Sequence, residues 1–174
     1  MITKQKFIDF YIKVAQEAAE LSTAIRLKVG AIIVKDNRIS SFGYNGTPAG
    51  WDNSCETKEY MSIDAGGWLS PDEIIELWPY EEYDPTVESN RRYKLVTKQE
   101  TIHAEMNALM KLAKHGGGSD ESSMFITHAP CIHCAKAIYQ AGIKEVHYVH
   151  DYRETSGIDF LNQAGVTVTK YEQI

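Results

Sequence analysis

Residues 101–149, TIHAEMNALMKLAKHGGGSDESSMFITHAPCIHCAKAIYQAGIKEVHYV, decide the reading of this chain. Thr101–Lys114 is dense in strong helix formers, with Thr101 expected near the cap, and Gly116-Gly117-Gly118 ends the helix. Ser122–Thr127 is a short apolar run between turn residues, the pattern of a strand. Pro130 opens a second helix, Cys131–Gln140, which Gly142 stops. Glu145–Val149 is a further strand. Strands and helices in alternation call for a sheet covered by crossover helices.

The same alternation extends outward. Thr155–Gln163 is a short helix and Val166–Tyr171 a last strand. On the other side, residues 5–21 place Phe7, Phe10, Tyr11, Val14, Ala18 and Leu21 at spacings of three and four, which predicts an amphipathic helix. Ser22 and Thr23 break it. Val29–Val34 is almost wholly apolar and predicts a strand buried on both faces. Asp36-Asn37 turns the chain into Arg38–Phe42, giving a hairpin that runs into the turn-rich Gly43-Tyr44-Asn45-Gly46. The expected fold is α/β, with three α/β/α layers, a central mixed five-stranded sheet and helices on both faces.

Residues 47–99 break the pattern. They hold four of the five prolines and all three tryptophans. Their periodicity is weak apart from a helix-like Pro71–Leu77. The stretch is read as an insertion laid over the core of one domain spanning 1–174.

Composition narrows the classes. The chain of 174 residues is 43% hydrophobic, enough for a packed core, and carries a formal net charge of −6. No apolar run approaches a membrane span, and Lys4, Lys6 and Asp9 interrupt the first ten residues, unlike a signal peptide. An acidic chain whose only arginine doublet is Arg91-Arg92 is a poor binder of long nucleic acid and points to a small ligand. The three cysteines, Cys55, Cys131 and Cys134, do not form a disulfide framework. A reducing compartment, the cytoplasm, is expected.

Two motifs carry chemistry. His103-Ala104-Glu105 opens one helix and Cys131-Ile132-His133-Cys134 opens another. Helix starts bear partial positive charge and free N–H groups, which favour thiolates and developing oxyanions. One imidazole and two thiolates make three zinc ligands, leaving the fourth position of the tetrahedron for water, as in a catalytic site. Water on zinc has a pKa of roughly 7. Glu105, two residues from His103, is placed to shuttle protons rather than to ligate. H-x-E followed by P-C-x-x-C is the signature of zinc deaminases. His133 is read as a neighbour facing elsewhere, His128 as a packing residue and Cys55 as a free thiol.

With those residues in hand, nearly the whole chain resembles the deoxycytidylate deaminases of the cytidine deaminase superfamily. Val29–Val34 resembles their first strand, Gly43–Gly50 their G-Y-N-G-x-P-x-G loop, His103–Leu109 their H-A-E-x-N-A-[IL] helix and Thr127–Lys136 their T-x-x-P-C-x-x-C-[AT]-K helix. Tyr152 and Gly157–Val166 resemble their C-terminal end. The resemblance implies a cytidine deaminase-like fold and hydrolysis of dCMP to dUMP and ammonia, supplying dUMP for thymidylate synthesis. It implies Glu105 as the catalytic residue and His103, Cys131 and Cys134 as metal ligands. Ala104 backbone would assist with the base, Asn45 would hold the sugar, and Arg26, Tyr152 and Arg153 would serve the phosphate end. It also implies a homo-oligomer, a hexamer, activated by dCTP and inhibited by dTTP, with Mg2+ accompanying an effector nucleotide near Gly43, Tyr44 and Gly46. In one place the chain departs from the family. Where relatives have a cysteine in S-T-C-x-R, and some hold a second zinc, this chain has Ala24, so one catalytic zinc is expected.

Three other readings are distinguishable. A tRNA adenosine deaminase would share the chemistry but fits the charge and the 47–99 stretch poorly. A structural zinc module would need a fourth protein ligand and no Glu105. A thiol redox protein would have no use for His103.

Overall fold

The computed structural model describes residues 4–62 and 67–172. In chain order the elements are α1 (Gln5–Ala19), β1 (Gly30–Lys35), β2 (Arg38–Tyr44), β3 (Glu56–Tyr60), α2 (Pro71–Leu77), β4 (Tyr80–Asp84) and β5 (Ser89–Thr97). They continue with α3 (Ala104–Lys114), β6 (Ser123–His128), α4 (Ile132–Gln140), β7 (Glu145–His150), α5 (Ser156–Gln163) and β8 (Thr167–Lys170).

The apolar run of β1 leaves water neither face, and the strand is buried from Gly30 to Val34. Asp36 and Asn37 both adopt positive φ, 49° and 58°, the primed turn that matches strand twist in a tight hairpin. The hairpin continues into a five-stranded sheet of order β2-β1-β6-β7-β8. β1 runs antiparallel to β2 and β6, whereas β6, β7 and β8 are mutually parallel, joined through α4 and α5. The sheet is mixed, as the alternation of elements implied.

Side chains alternate across this sheet and so fill two cores. Ile32, Val34 and Phe125 face α1 and pack against Tyr11, Ile12 and Ala15. Ala31, Ile33, Met124, Ile126 and Val146 face the opposite way, against Ala108, Leu112, Ile138 and Leu161 of α3, α4 and α5. One helix therefore covers one face and three cover the other. Each fully buried aliphatic or aromatic side chain contributes about 1.5–3 kcal/mol to burial. α1 sits directly on β1. A Cβ at Gly30 would lie 2.0 Å from the Ala15 carbonyl oxygen, so only glycine lets helix and strand approach this closely.

The described part of 47–99 holds more regular structure than its sequence suggested. It contains α2, as expected, with a capping box in which the Ser70 hydroxyl accepts from the Glu73 N–H and the Glu73 carboxylate accepts from the Ser70 N–H. It also contains a three-stranded antiparallel sheet, β3-β5-β4, that periodicity did not reveal. These strands are rich in charged residues and tyrosine and show no polar–apolar alternation. Tyr93 on β5 packs between Tyr60 and Tyr80, Arg91 lies over the Tyr60 ring, and Lys58 and Tyr60 both donate to the Glu82 carboxylate. Cross-strand pairs replace an apolar face here. The tryptophans do not seal the segment: Trp51 and Trp68 are exposed.

Candidate functional site

The residues singled out in sequence converge because of the sheet's strand directions. β1 runs opposite to β6, so the start of β1, the exit of β2 and the carboxyl ends of β6 and β7 share one edge. Val29, Asn45, His128 and the segment Asp151–Arg153 all line a cavity of about 400 Å³ there. The starts of α3 and α4 close its floor with His103, Ala104, Glu105, Ala129 and Cys131. A crevice outside the carboxyl ends of strands is the usual ligand site in α/β sheets, and about 300–1,000 Å³ the usual size.

His103 is itself the N-cap of α3 and Cys131 the N-cap of α4, both in extended backbone. Thr101 lies near the cap, two residues before it, and its hydroxyl donates to the Cys55 carbonyl, 3.1 Å. Cap residues precede the helical turn, so the two side chains lean across the gap between the helices. His103 Nδ1 lies 3.7 Å from Cys131 Sγ and 3.4 Å from Cys134 Sγ. The three donor atoms all lie within 4.8 Å of one another. A tetrahedral zinc, about 2.3 Å from sulfur and about 2.0 Å from nitrogen, needs donors roughly 3.5–3.8 Å apart. The donor set and its spacing fit Zn2+, and among the described residues it is the one such cluster.

The thiols, the imidazole and the carboxyl shift one another's protonation. Cys134, in contact with Cys131, pulls the Cys131 thiol down towards thiolate, helped by His103, while Cys134 itself is pushed up by the same neighbour and by burial. The Cys131 sulfur raises the His103 pKa. Glu105 is 4% exposed. Burial pushes its carboxyl up, against the pull of its own backbone N–H and of His103. A carboxyl raised by burial is suited to proton transfer near neutral pH.

Other expected residues take clear positions. Arg26, Tyr152 and Arg153 stand round the cavity, with the Arg153 guanidinium 5.7 Å from the centre of the Tyr152 ring. Asn45 lines the wall, and its side chain has a structural duty: Oδ1 accepts from the Val29 N–H and Nδ2 donates to the Leu27 carbonyl, each at 2.8 Å. Gly43, Tyr44 and Gly46 do not line this cavity. Gly43 packs on α3, Gly46 pairs with Ile102, and Tyr44 lies beneath Lys111. Asn107 of α3 donates to the Tyr44 carbonyl, 2.8 Å, tying the G-Y-N-G loop to the helix that bears Glu105. Sequence reading missed Glu56, Thr97, Thr101 and Asp151 on the wall. None belongs to a local motif, and only strand pairing carries Glu56 and Thr97 there. Cys55 is fully buried, its sulfur 3.5 Å from the Thr23 hydroxyl.

This fold, with an imidazole, two thiols and a buried carboxylate at facing helix starts, defines a deaminase, a hydrolytic enzyme. A family model of the cytidine and deoxycytidylate deaminase zinc-binding region matches residues 1–150. The deoxycytidylate deaminase of Enterobacteria phage T4 is 31% identical over 170 residues, covering 90% of this chain and 86% of that protein. The ComE operon protein 2 of Bacillus subtilis is 37% identical over 152 residues; the match covers 87% of this chain and 64% of that protein's length. Among solved structures, the dCMP deaminase of cyanophage S-TIM5, crystallised with dCMP and dUMP, superposes with a TM-score of 0.72. It is 36% identical, and the match covers 98% of this chain and 100% of that one. The chain belongs to the cytidine and deoxycytidylate deaminase family. No described helix is long and apolar enough to cross a membrane.

Proposed function

We propose that this chain hydrolyses dCMP to dUMP and ammonia, with 1–174 acting as one deaminase domain into which 47–99 is inserted. The observation that carries this reading is the placing of Glu105 beside the His103–Cys131–Cys134 cluster on the floor of a cavity whose rim holds Arg26 and Arg153. The floor supplies the hydrolytic chemistry and the rim selects an anionic substrate. The cyanophage and phage T4 relatives support the choice of dCMP.

His103, Cys131 and Cys134 would hold zinc, which would supply Lewis acidity and lower the pKa of water towards neutrality. Glu105, ionised, takes a proton from the attacking water. It delivers that proton to N3 of cytosine, then takes the second proton from the new C4 hydroxyl and gives it to the departing amine, so that water enters and ammonia leaves. The Ala104 backbone helps hold the base, and burial around Glu105 keeps bulk water from competing for its proton. Asn45 holds the sugar with the amide capacity left over from its backbone bonds. Arg26, Arg153 and Tyr152 hold the phosphate.

The test is direct. Purified protein is given dCMP and ammonia release is followed with and without a chelator. Chelator-sensitive release supports the reading; zinc-replete protein inert on dCMP overturns it. Regulation by dCTP and dTTP in a hexamer, with Mg2+ on the effector phosphates and Gly43, Tyr44 and Gly46 near the effector, rests on motif resemblance alone. Adding each nucleotide to the same assay, and sizing the particle, tests it. A cytoplasmic location fits the reduced cysteines.

A further inference from the structure

The segment from Ser22 to Val29 has no regular structure, yet the side chains of Asn45 and Glu56 and its own hydroxyls tie it down at several points. The Ser22 hydroxyl donates to the Asn45 carbonyl, 2.7 Å, and accepts from the Ala24 N–H, 3.2 Å. The Thr23 hydroxyl donates to the Asn53 carbonyl, 2.6 Å. The strongest grip comes from the second sheet. Glu56, only 7% exposed, accepts from the Ile25 N–H at 3.1 Å and the Arg26 N–H at 3.2 Å through one carboxylate oxygen, and from Ile25 at 3.3 Å through the other. The Arg26 guanidinium donates to the Thr97 hydroxyl at 3.0 Å.

Glu56 and Thr97 are not independent. They are directly opposed partners in the pairing of β3 with β5, at the end of the second sheet that reaches the cavity. One cross-strand pair thus holds both ends of one arginine, its backbone and its guanidinium. A free arginine side chain loses rotamer freedom when it is immobilised on a ligand. A side chain already aimed loses less.

We propose that Glu56 and Thr97 are positioning residues for Arg26, and that this is how the 47–99 stretch sets the preference of the site for a phosphorylated substrate. Glu56 satisfies its charge on backbone N–H groups, so it fixes the loop without presenting a free carboxylate to the phosphate. Thr97 holds the guanidinium at the cavity rim. The inference rests on Arg26 contacting the phosphate, and the test separates the two.

The experiment compares kcat/KM for dCMP with kcat/KM for deoxycytidine, which has the same base and sugar but no phosphate. The ratio is measured for the parent and for Arg26→Ala, Thr97→Val, Thr97→Ser, Glu56→Gln and Thr57→Val, each with its unfolding midpoint. Thr97→Val is expected to lower the ratio about tenfold, through KM for dCMP, the loss of one hydrogen bond to a charged group. Thr97→Ser keeps the hydroxyl and restores the ratio. Glu56→Gln lowers it as well, and Thr57→Val, on the other face of β3, leaves it alone. A lowered ratio in Arg26→Ala with the parental ratio in Thr97→Val overturns the positioning role and keeps the phosphate role of Arg26. A parental ratio in Arg26→Ala overturns both. If Glu56→Gln fails to fold, the Val and Ser variants of exposed Thr97 decide the matter.

Discussion

His103 Nδ1 lies 3.4 Å from Cys134 Sγ although 31 residues separate them in sequence. The contact spans the gap between two helix N-termini. It exists because α3 and α4 pack on the same face of the sheet and start at the same edge. The chemistry of the site depends on that gap staying fixed.

Replacing Glu105 by Gln should leave metal content intact and cut turnover of dCMP by about 10²–10⁴-fold, the usual contribution of a positioned proton-transfer group. The replacement keeps size and removes only the proton-accepting oxygen. Metal analysis beside a single-turnover assay checks it. Retained turnover removes Glu105 from its role.

Serine at Cys131 should lose zinc and activity together, because a hydroxyl at this site is far harder to ionise than the thiol. A metal bound only by the folded state at 100 times its dissociation constant stabilises by about 2.7 kcal/mol. Thermal unfolding with and without a chelator should therefore show a lower midpoint for chelated parent protein and no chelator effect for the variant.

Gly43→Ala should cost about 1–3 kcal/mol, in the manner of an overpacked core. A Cβ there would lie 2.2 Å from the Ala104 carbonyl oxygen and 2.5 Å from the Ala108 nitrogen, so α3 must move and Glu105 with it. Gly46→Ala is the control: the nearest atom to its Cβ is 3.9 Å away, on the Tyr44 ring. Its unfolding midpoint should sit within about 0.5 kcal/mol of the parent. Equal destabilisation of both would contradict the packing account.

His147 predicts a pH dependence unrelated to the metal. Its ring stacks on Phe125 with centroids 4.7 Å apart, and neither ring nitrogen has a hydrogen-bond partner among the described residues. Burial lowers its pKa below 6.5, against a weaker pull upward from Glu145. Between the folded and unfolded values the unfolded chain binds a proton that the folded chain does not. Stability therefore rises with pH through this window and is lost on acidification below about 6.5. The slope is at most about 1.4 kcal/mol per pH unit for one proton. Denaturant unfolding from about pH 5 to about pH 8 should give a flatter profile for His147→Phe than for the parent. The difference between the two cancels any loss of zinc at low pH.

The α/β core was legible because its signals are local. The spacing of Phe7, Tyr11 and Val14 marks α1, the unbroken run Val29–Val34 marks β1, and Asp36-Asn37 marks the turn between β1 and β2. The second sheet was not legible. Tyr60, Tyr93 and Tyr80 stabilise it only after strands distant in sequence have paired, and each strand alone looks like a charged loop.

The sequence alone determined which groups sit within one helical turn of each other: Glu105 near His103, and Cys134 near Cys131. Closeness along the chain at a helix start keeps each pair together whatever the rest of the chain does. Only the tertiary structure decided that the two helix starts face one another, that Asn45 spends much of its amide on Val29 and Leu27, and that Glu56 and Thr97 converge on Arg26. Those relations depend on strand direction and register. Register comes from the closing of long loops and the pairing of whole strands, and no short stretch of residues encodes it by itself.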